Sequence, residues 1–183
     1  MVRVGLIMLS LAAALSGCGD PASKDNPFAP GVAQNTTGVD PMLVGHRLMD
    51  AGEYELAIKS FSRAALQQGM TGDVLLGIGS AYLALGRLGQ AEDLLRDSIK
   101  TDETSAEAWN NLGVVLMEQG ETAEAAQVFR RAYAIDNGES DSIRDNLRLA
   151  LAKAENPVYD QPEEQDYKVV RRGSSDFLIR KIP

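Results

Sequence analysis

Apolar residues recur through the middle of the chain at the spacing of amphipathic helices, and the pattern itself repeats. Trp109, Leu112, Gly113 and Leu116 form one helical stripe, Gly120 ends that helix, and Ala125, Val128, Phe129 and Ala132 form a second stripe facing the first. The same roles fall to Leu75, Ile78, Gly79, Tyr82, Ala91 and Leu95 one repeat earlier, and to Val44, Gly45, Leu48, Tyr54, Ala57 and Phe61 before that. Three columns share one register: Gly45, Gly79 and Gly113 lie 34 residues apart, as do Gly52, Gly86 and Gly120, and Ala57, Ala91 and Ala125. The small residues let paired helices approach, while Trp109, Leu116 and Phe129 fill the space around the contact. The pattern predicts three helix hairpins over about Gly38 to Glu139. A further amphipathic helix follows from Ser140 to Glu155, with Ile143, Leu147, Ala150, Leu151 and Ala154 on one face, and is expected to cap the last open surface.

The flanks follow other rules. Met1-Val2-Arg3 is a short basic start, and Val4 to Leu15 is apolar over the length of a signal-peptide core, too short for a membrane span. Residues 1–17 read as a signal peptide, and residues 18–37, rich in Pro, Gly and polar side chains, as a tether. The repeats and cap occupy 38–155, leaving 156–183 as a tail. In that tail Asn156-Pro157 stops the cap helix, and Asp160, Glu163, Glu164 and Asp166 form an acidic stretch. Lys168, Arg171, Arg172, Arg180 and Lys181 then surround two short strand-like apolar pieces, Val169-Val170 and Phe177-Leu178-Ile179, split by Gly173-Ser174-Ser175. One reading makes Arg171, Arg172, Phe177, Leu178, Ile179 and Arg180 a docking peptide, adding a strand to a partner sheet or lying on an acidic or phosphate-bearing surface. The other makes the tail a disordered end, or a segment folding back onto its own acidic solenoid.

Composition narrows the chemistry. The chain has 183 residues and a net charge of -8, which disfavours a dedicated nucleic-acid binder because phosphate contacts need clustered cations. Its single Cys and single His, Cys18 and His46, leave no intrachain disulfide, no multi-thiolate zinc site and no His-pair mechanism. Gly77-Ile78-Gly79 begins like a dinucleotide loop, but no strand precedes it and Tyr82 stands where the third Gly belongs. No phosphate-binding loop, nucleophile elbow or zinc-protease motif occurs in the sequence, so no catalytic residue, metal, cofactor or small-molecule substrate is expected.

The 34-residue period and its glycine, alanine and aromatic columns resemble the tetratricopeptide repeat. That resemblance implies an all-α solenoid of about three helix hairpins plus a capping helix, with a flexible N-terminal tether and C-terminal tail. It also implies a concave surface, lined by the first helix of each hairpin, that holds a peptide or partner segment. The groove positions would be His46, Met49 and Asp50, then Leu76, Ser80 and Leu83, then Asn110, Val114 and Met117. The cations with which the eukaryotic chaperone-binding version clamps a carboxylate are missing, so a neutral groove with Met side chains and an Asn amide better suits a segment with apolar anchors. The pattern departs from the family at unit boundaries, where Gly69, Glu103 and Asn137 replace the usual Pro.

Leu15-Ser16-Gly17-Cys18 resembles the lipobox of bacterial lipoproteins, which implies diacylglycerol on the Cys18 thiol and an N-acyl chain after cleavage. Gly19, rather than Asp, follows the Cys, which in enteric-type bacteria implies the outer membrane, facing the periplasm. Lipobox, tether, repeats and tail together resemble the small lipoproteins of tight-adherence (Tad/Flp-type) pilus assembly. The implied function is a lipid-anchored scaffold for protein partners, a secretin or another assembly subunit among them. Two alternatives stay open: an envelope adaptor for peptidoglycan hydrolases or proteases, and an outer-membrane-protein assembly factor.

Overall fold

The first helix of each hairpin begins where the sequence offers a side-chain acceptor and ends at a glycine turn. The computed structural model describes residues 38–155, 167–173 and 176–181; the segments read as signal peptide and tether, Cys18 with them, and the acidic stretch of the tail lie outside the described residues. Three hairpins follow one another: α1 (Pro41–Asp50) with α2 (Tyr54–Gln68), α3 (Gly72–Ala84) with α4 (Leu88–Thr101), and α5 (Ala106–Glu118) with α6 (Thr122–Ile135). The cap helix α7 (Asp141–Glu155) completes the solenoid, and all these elements belong to one compact unit that begins at Val39.

The first helix of each hairpin is capped by a short polar side chain. Asp40, Thr71 and Ser105 accept from the backbone N–H groups of Met42, Val74 and Ala108. Each then turns at a glycine in the left-handed region, with φ of 77° at Gly52, 70° at Gly86 and 83° at Gly120. The residue after each glycine donates its N–H back to Leu48, Tyr82 or Leu116, so the same closed turn is built three times. The second glycine column serves close approach instead. A Cβ on Gly113 would lie 2.6 Å from Cε1 of Phe129, and one on Gly79 would lie 2.9 Å from Cγ of Leu95.

Two apolar clusters form the core. The first gathers Met49, Ala57, Phe61, Ala64, Val74, Ile78 and Ala81, and the second runs from Leu76 and Leu95 through Leu112, Leu116 and Phe129 to Ala150. Trp109 is only half-buried: its ring packs on the second cluster while Nε1 donates to the Glu103 carbonyl at 3.0 Å. It therefore ties the first turn of α5 to the preceding loop as well as filling space.

The tail contributes an element that a purely helical description omits. β1 (Tyr167–Arg172) pairs antiparallel with β2 (Asp176–Lys181) through a turn at Gly173, where φ is 75°. Tyr167, Val169 and Arg171 share one face with Phe177 and Ile179, and that face packs on the solenoid. β2 lies against α5 and α7, so among the open readings of the tail the structure has this segment folded back onto its own helices.

Candidate functional site

The first helices of the hairpins lie side by side, and α5 and α7 together receive β2. The reception is polar at its centre. Asn110 on α5 is fully buried and its Nδ2 donates to the Phe177 carbonyl at 3.0 Å and to Asp176 Oδ1 at 2.7 Å. Asn146 on α7 is also fully buried; its Nδ2 donates to the same carbonyl at 2.8 Å, and its Oδ1 accepts from the Ile179 N–H at 2.9 Å. Asn146 Nδ2 donates as well to Asn110 Oδ1 at 2.9 Å, which fixes both amides in one orientation. The ladder continues inward through Asn111, whose Oδ1 accepts from Asn110 and whose Nδ2 donates to the Ser80 hydroxyl at 3.0 Å. A carboxamide carries donor and acceptor on one rigid plane, so it can match the alternating groups of an extended main chain without regard to side-chain identity.

Side chains add the apolar share. Phe177 and Ile179, both nearly buried, belong to the cluster that holds Leu76, Leu83, Val114 and Met117. Each buried anchor contributes about 1.5–3 kcal/mol relative to exposure. At the margin, Lys153 of α7 sits over the Tyr167 ring at 4.7 Å, and Arg171 Nη1 reaches Asp50 of α1 at 3.2 Å.

The residues expected to line the groove therefore separate into three places. Ser80, Leu83, Asn110, Val114 and Met117 lie in the ladder or the apolar cluster shared with the hairpin. Met49 is 1% exposed in the first core cluster, beside Ala57 and Phe61. His46 lines a cleft of about 510 Å³ with Asp40, Asp73 and Glu107, where its ring meets Phe61 edge to face, and Leu76 borders both this cleft and the apolar cluster. The tail residues divide by strand alternation. Arg171, Phe177 and Ile179 point to the helices, whereas Arg172 and Arg180 are exposed and Leu178 is half-buried on the outer face. Asn111, Ser142, Asn146, Lys153 and Asp176 take part without having been singled out. A signal existed for Asn146, a polar residue on the apolar face of the cap helix 36 positions after Asn110. The 34-residue register misses it because Asn137 and Gly138, both at positive φ, lengthen the last connection.

Asp176 is the titratable group of this contact. Burial pushes its carboxyl above the usual range, while the Ser142 hydroxyl, the Phe177 backbone N–H and nearby Arg172 pull it partly back. Docking thus shifts this carboxyl toward its protonated form relative to the undocked hairpin. Docking is strongest below the undocked carboxyl's ordinary pKa and weakens as pH rises through the higher docked value. The Ile179 amide is expected to gain hydrogen-exchange protection, corrected for intrinsic rate, as pH is lowered toward the ordinary carboxylate range. Asp176→Asn is expected to flatten that dependence.

Comparison with known proteins bears on the helical repeats. The tetratricopeptide-repeat family model matches residues 45–106 and 76–140. Tetratricopeptide repeat protein 7B of Mus musculus is 42% identical over 52 residues, which is 28% of this chain and only 6% of that protein's length. Among solved structures, the Sgt2 domain of this repeat type from Aspergillus fumigatus superposes with a TM-score of 0.62 at 21% identity, covering 74% of this chain and 90% of that one. The second such domain of human RPAP3, solved in complex with the HSP70 peptide SGPTIEEVD, superposes with a TM-score of 0.56 at 21% identity, covering 62% and 93%.

Proposed function

Because the chain belongs to the tetratricopeptide-repeat family, whose fold is a protein-interaction scaffold, we propose that it works without catalysis, holding protein partners by extended segments while tethered to the bacterial cell envelope. The observation that carries this reading is the Asn110–Asn146 pair, which grips the main chain of a β-strand on the inner helices. The RPAP3 domain, solved with a peptide bound, supports the same use of the fold.

The anchor belongs to the proposal. Cys18 would carry diacylglycerol and an N-acyl chain, each buried CH₂ worth about 0.8 kcal/mol, and more than one chain makes attachment stable. No helix among the described residues is long and apolar enough to cross a membrane. Anchoring at the outer membrane would restrict a partner's search and raise its local concentration. The partner class we favour is a secretin or another subunit of a Tad/Flp-type pilus or secretion machine, on the layout of lipobox, tether and repeats.

Affinity capture from detergent-solubilised envelopes tests this, with the intact protein compared against Cys18→Ser. Recovery of a secretin or pilus-assembly subunit with the intact protein, and its loss or depletion with Cys18→Ser, is the expected result. Recovery of hydrolases, proteases or barrel-assembly proteins without any pilus component overturns the pilus assignment.

A further inference from the structure

The hairpin is attached to the groove through its main chain as well as through the side chains of Phe177 and Ile179. Burying main chain without partners is costly. Here the groove supplies four buried side chains, Ser80, Asn110, Asn111 and Asn146, joined in one hydrogen-bonded ladder that ends on two main-chain groups, Phe177 O and Ile179 N. The side chain of the strand that α5 and α7 read by hydrogen bonding is the carboxylate of Asp176, and the other bonds go to main chain. Five hydrogen bonds join α5 and α7 to the hairpin through β2, at Asp176, Phe177 and Ile179. Residues 156–166, with Pro157 and Pro162, separate the cap helix from the hairpin.

We propose that the hairpin is a cis-acting stand-in for the partner. The ligand of this groove is an extended segment of another protein with an acid, then an aromatic, then an aliphatic residue two further on. That is the pattern of Asp176, Phe177 and Ile179, and the partner segment binds by displacing the hairpin. The chemistry of each position is set by what it meets. The acid is held by the Asn110 amide and the Ser142 hydroxyl. The aromatic and the aliphatic enter the apolar cluster with Val114 and Met117, and the amides take the backbone between them. Asp50, which now holds Arg171, is released by the exchange and becomes available to a cation on the incoming segment. This inference rests on the scaffold reading but not on the identity of the envelope partner.

The test uses the full chain and a fluorescein-labelled peptide of residues 173–183, followed by anisotropy. The unaltered protein is expected to bind the peptide at least ten-fold more weakly than Phe177→Ala, whose own hairpin has lost its main anchor. Adding Asn146→Ala to Phe177→Ala is expected to remove that gain. A helical Phe177→Ala protein that binds no better than the unaltered one overturns the proposal. Native-state hydrogen exchange of the unaltered chain gives a second measurement free of any variant. The Ile179 amide is expected to exchange at least 100-fold faster, relative to its intrinsic rate, than the Val115 amide of α5. Exchange of both only through global unfolding overturns the proposal, because the hairpin is then part of the permanent core. A concentration-dependent dimer of the unaltered chain, lost in Phe177→Ala, also overturns it by making a second copy the occupant. Failure of these tests leaves the envelope capture result untouched, and failure of that capture with peptide exchange intact removes only the pilus partner.

Discussion

Replacing Asn146 with alanine is expected to free the hairpin while leaving the helices folded. The side chain makes three hydrogen bonds, to Phe177 O, Asn110 Oδ1 and Ile179 N, all inside a region closed to solvent. Truncation leaves the Ile179 N–H and the Asn110 carbonyl oxygen without those partners. An abandoned buried polar group costs about 1–3 kcal/mol, so the docked hairpin is expected to lose about 2–4 kcal/mol relative to the open chain. Opening lets water reach both groups, so the penalty falls on docking and not on the solenoid. Hydrogen exchange at Ile179 is the direct readout, with protection expected to fall by a factor of 30 or more, roughly the lower end of that free-energy range. Far-ultraviolet circular dichroism is expected to retain the helical signal. Unchanged protection at Ile179 would mean that apolar contacts alone hold β2.

Phe129→Ala strikes the solenoid itself. The ring is fully buried against Gly113, in the column that Phe61 occupies against Gly45. Removing a buried phenylalanine side chain costs about 3–5 kcal/mol, transfer and cavity terms together. That is a large share of the stability of a domain of this size. Because a solenoid contacts only its neighbours, the damage is expected to centre on α5 and α6 and to spread to α7 and the hairpin they support. Urea denaturation followed by helical signal is expected to show a lower midpoint and, if the first two hairpins outlast the third, a broadened transition. Phe129→Leu, which keeps most of the volume and matches Leu95 at the equivalent position, is expected to cost less than half as much. Equal losses for Ala and Leu would mean that ring shape, not buried volume, matters at this site.

Legibility in the sequence follows the range of the contacts. The helix hairpins were readable because each is a local unit: a capped start, a glycine turn and a stripe whose partner lies within one 34-residue period. Phe61 and Phe129 declare themselves by column, as do the glycines beneath them. The third connection was readable as a left-handed helix end at Asn137 and Gly138, but the length it adds displaced Asn146 from the 34-residue register. Groove residues were readable as positions on a helix face, but not as roles. His46 and Met49 have similar helical positions in α1, yet one lines a cleft and the other packs on Phe61.

By itself the sequence determined the number of hairpins, their turns, their close-packed small residues and the two strand-like pieces of the tail. Periodicity alone carries that information, because helices and strands present their faces at fixed residue intervals. Only the tertiary structure decided where the tail goes. The bond from Asn110 to Phe177 spans 67 residues and that from Asn146 to Ile179 spans 33, and neither the strand nor either helix carries a local mark of the other. An extended segment presents the same main-chain groups wherever it lies, so which groove accepts it depends on two carboxamides from separate helices meeting at one point. That meeting exists only after α5, α6 and α7 have packed.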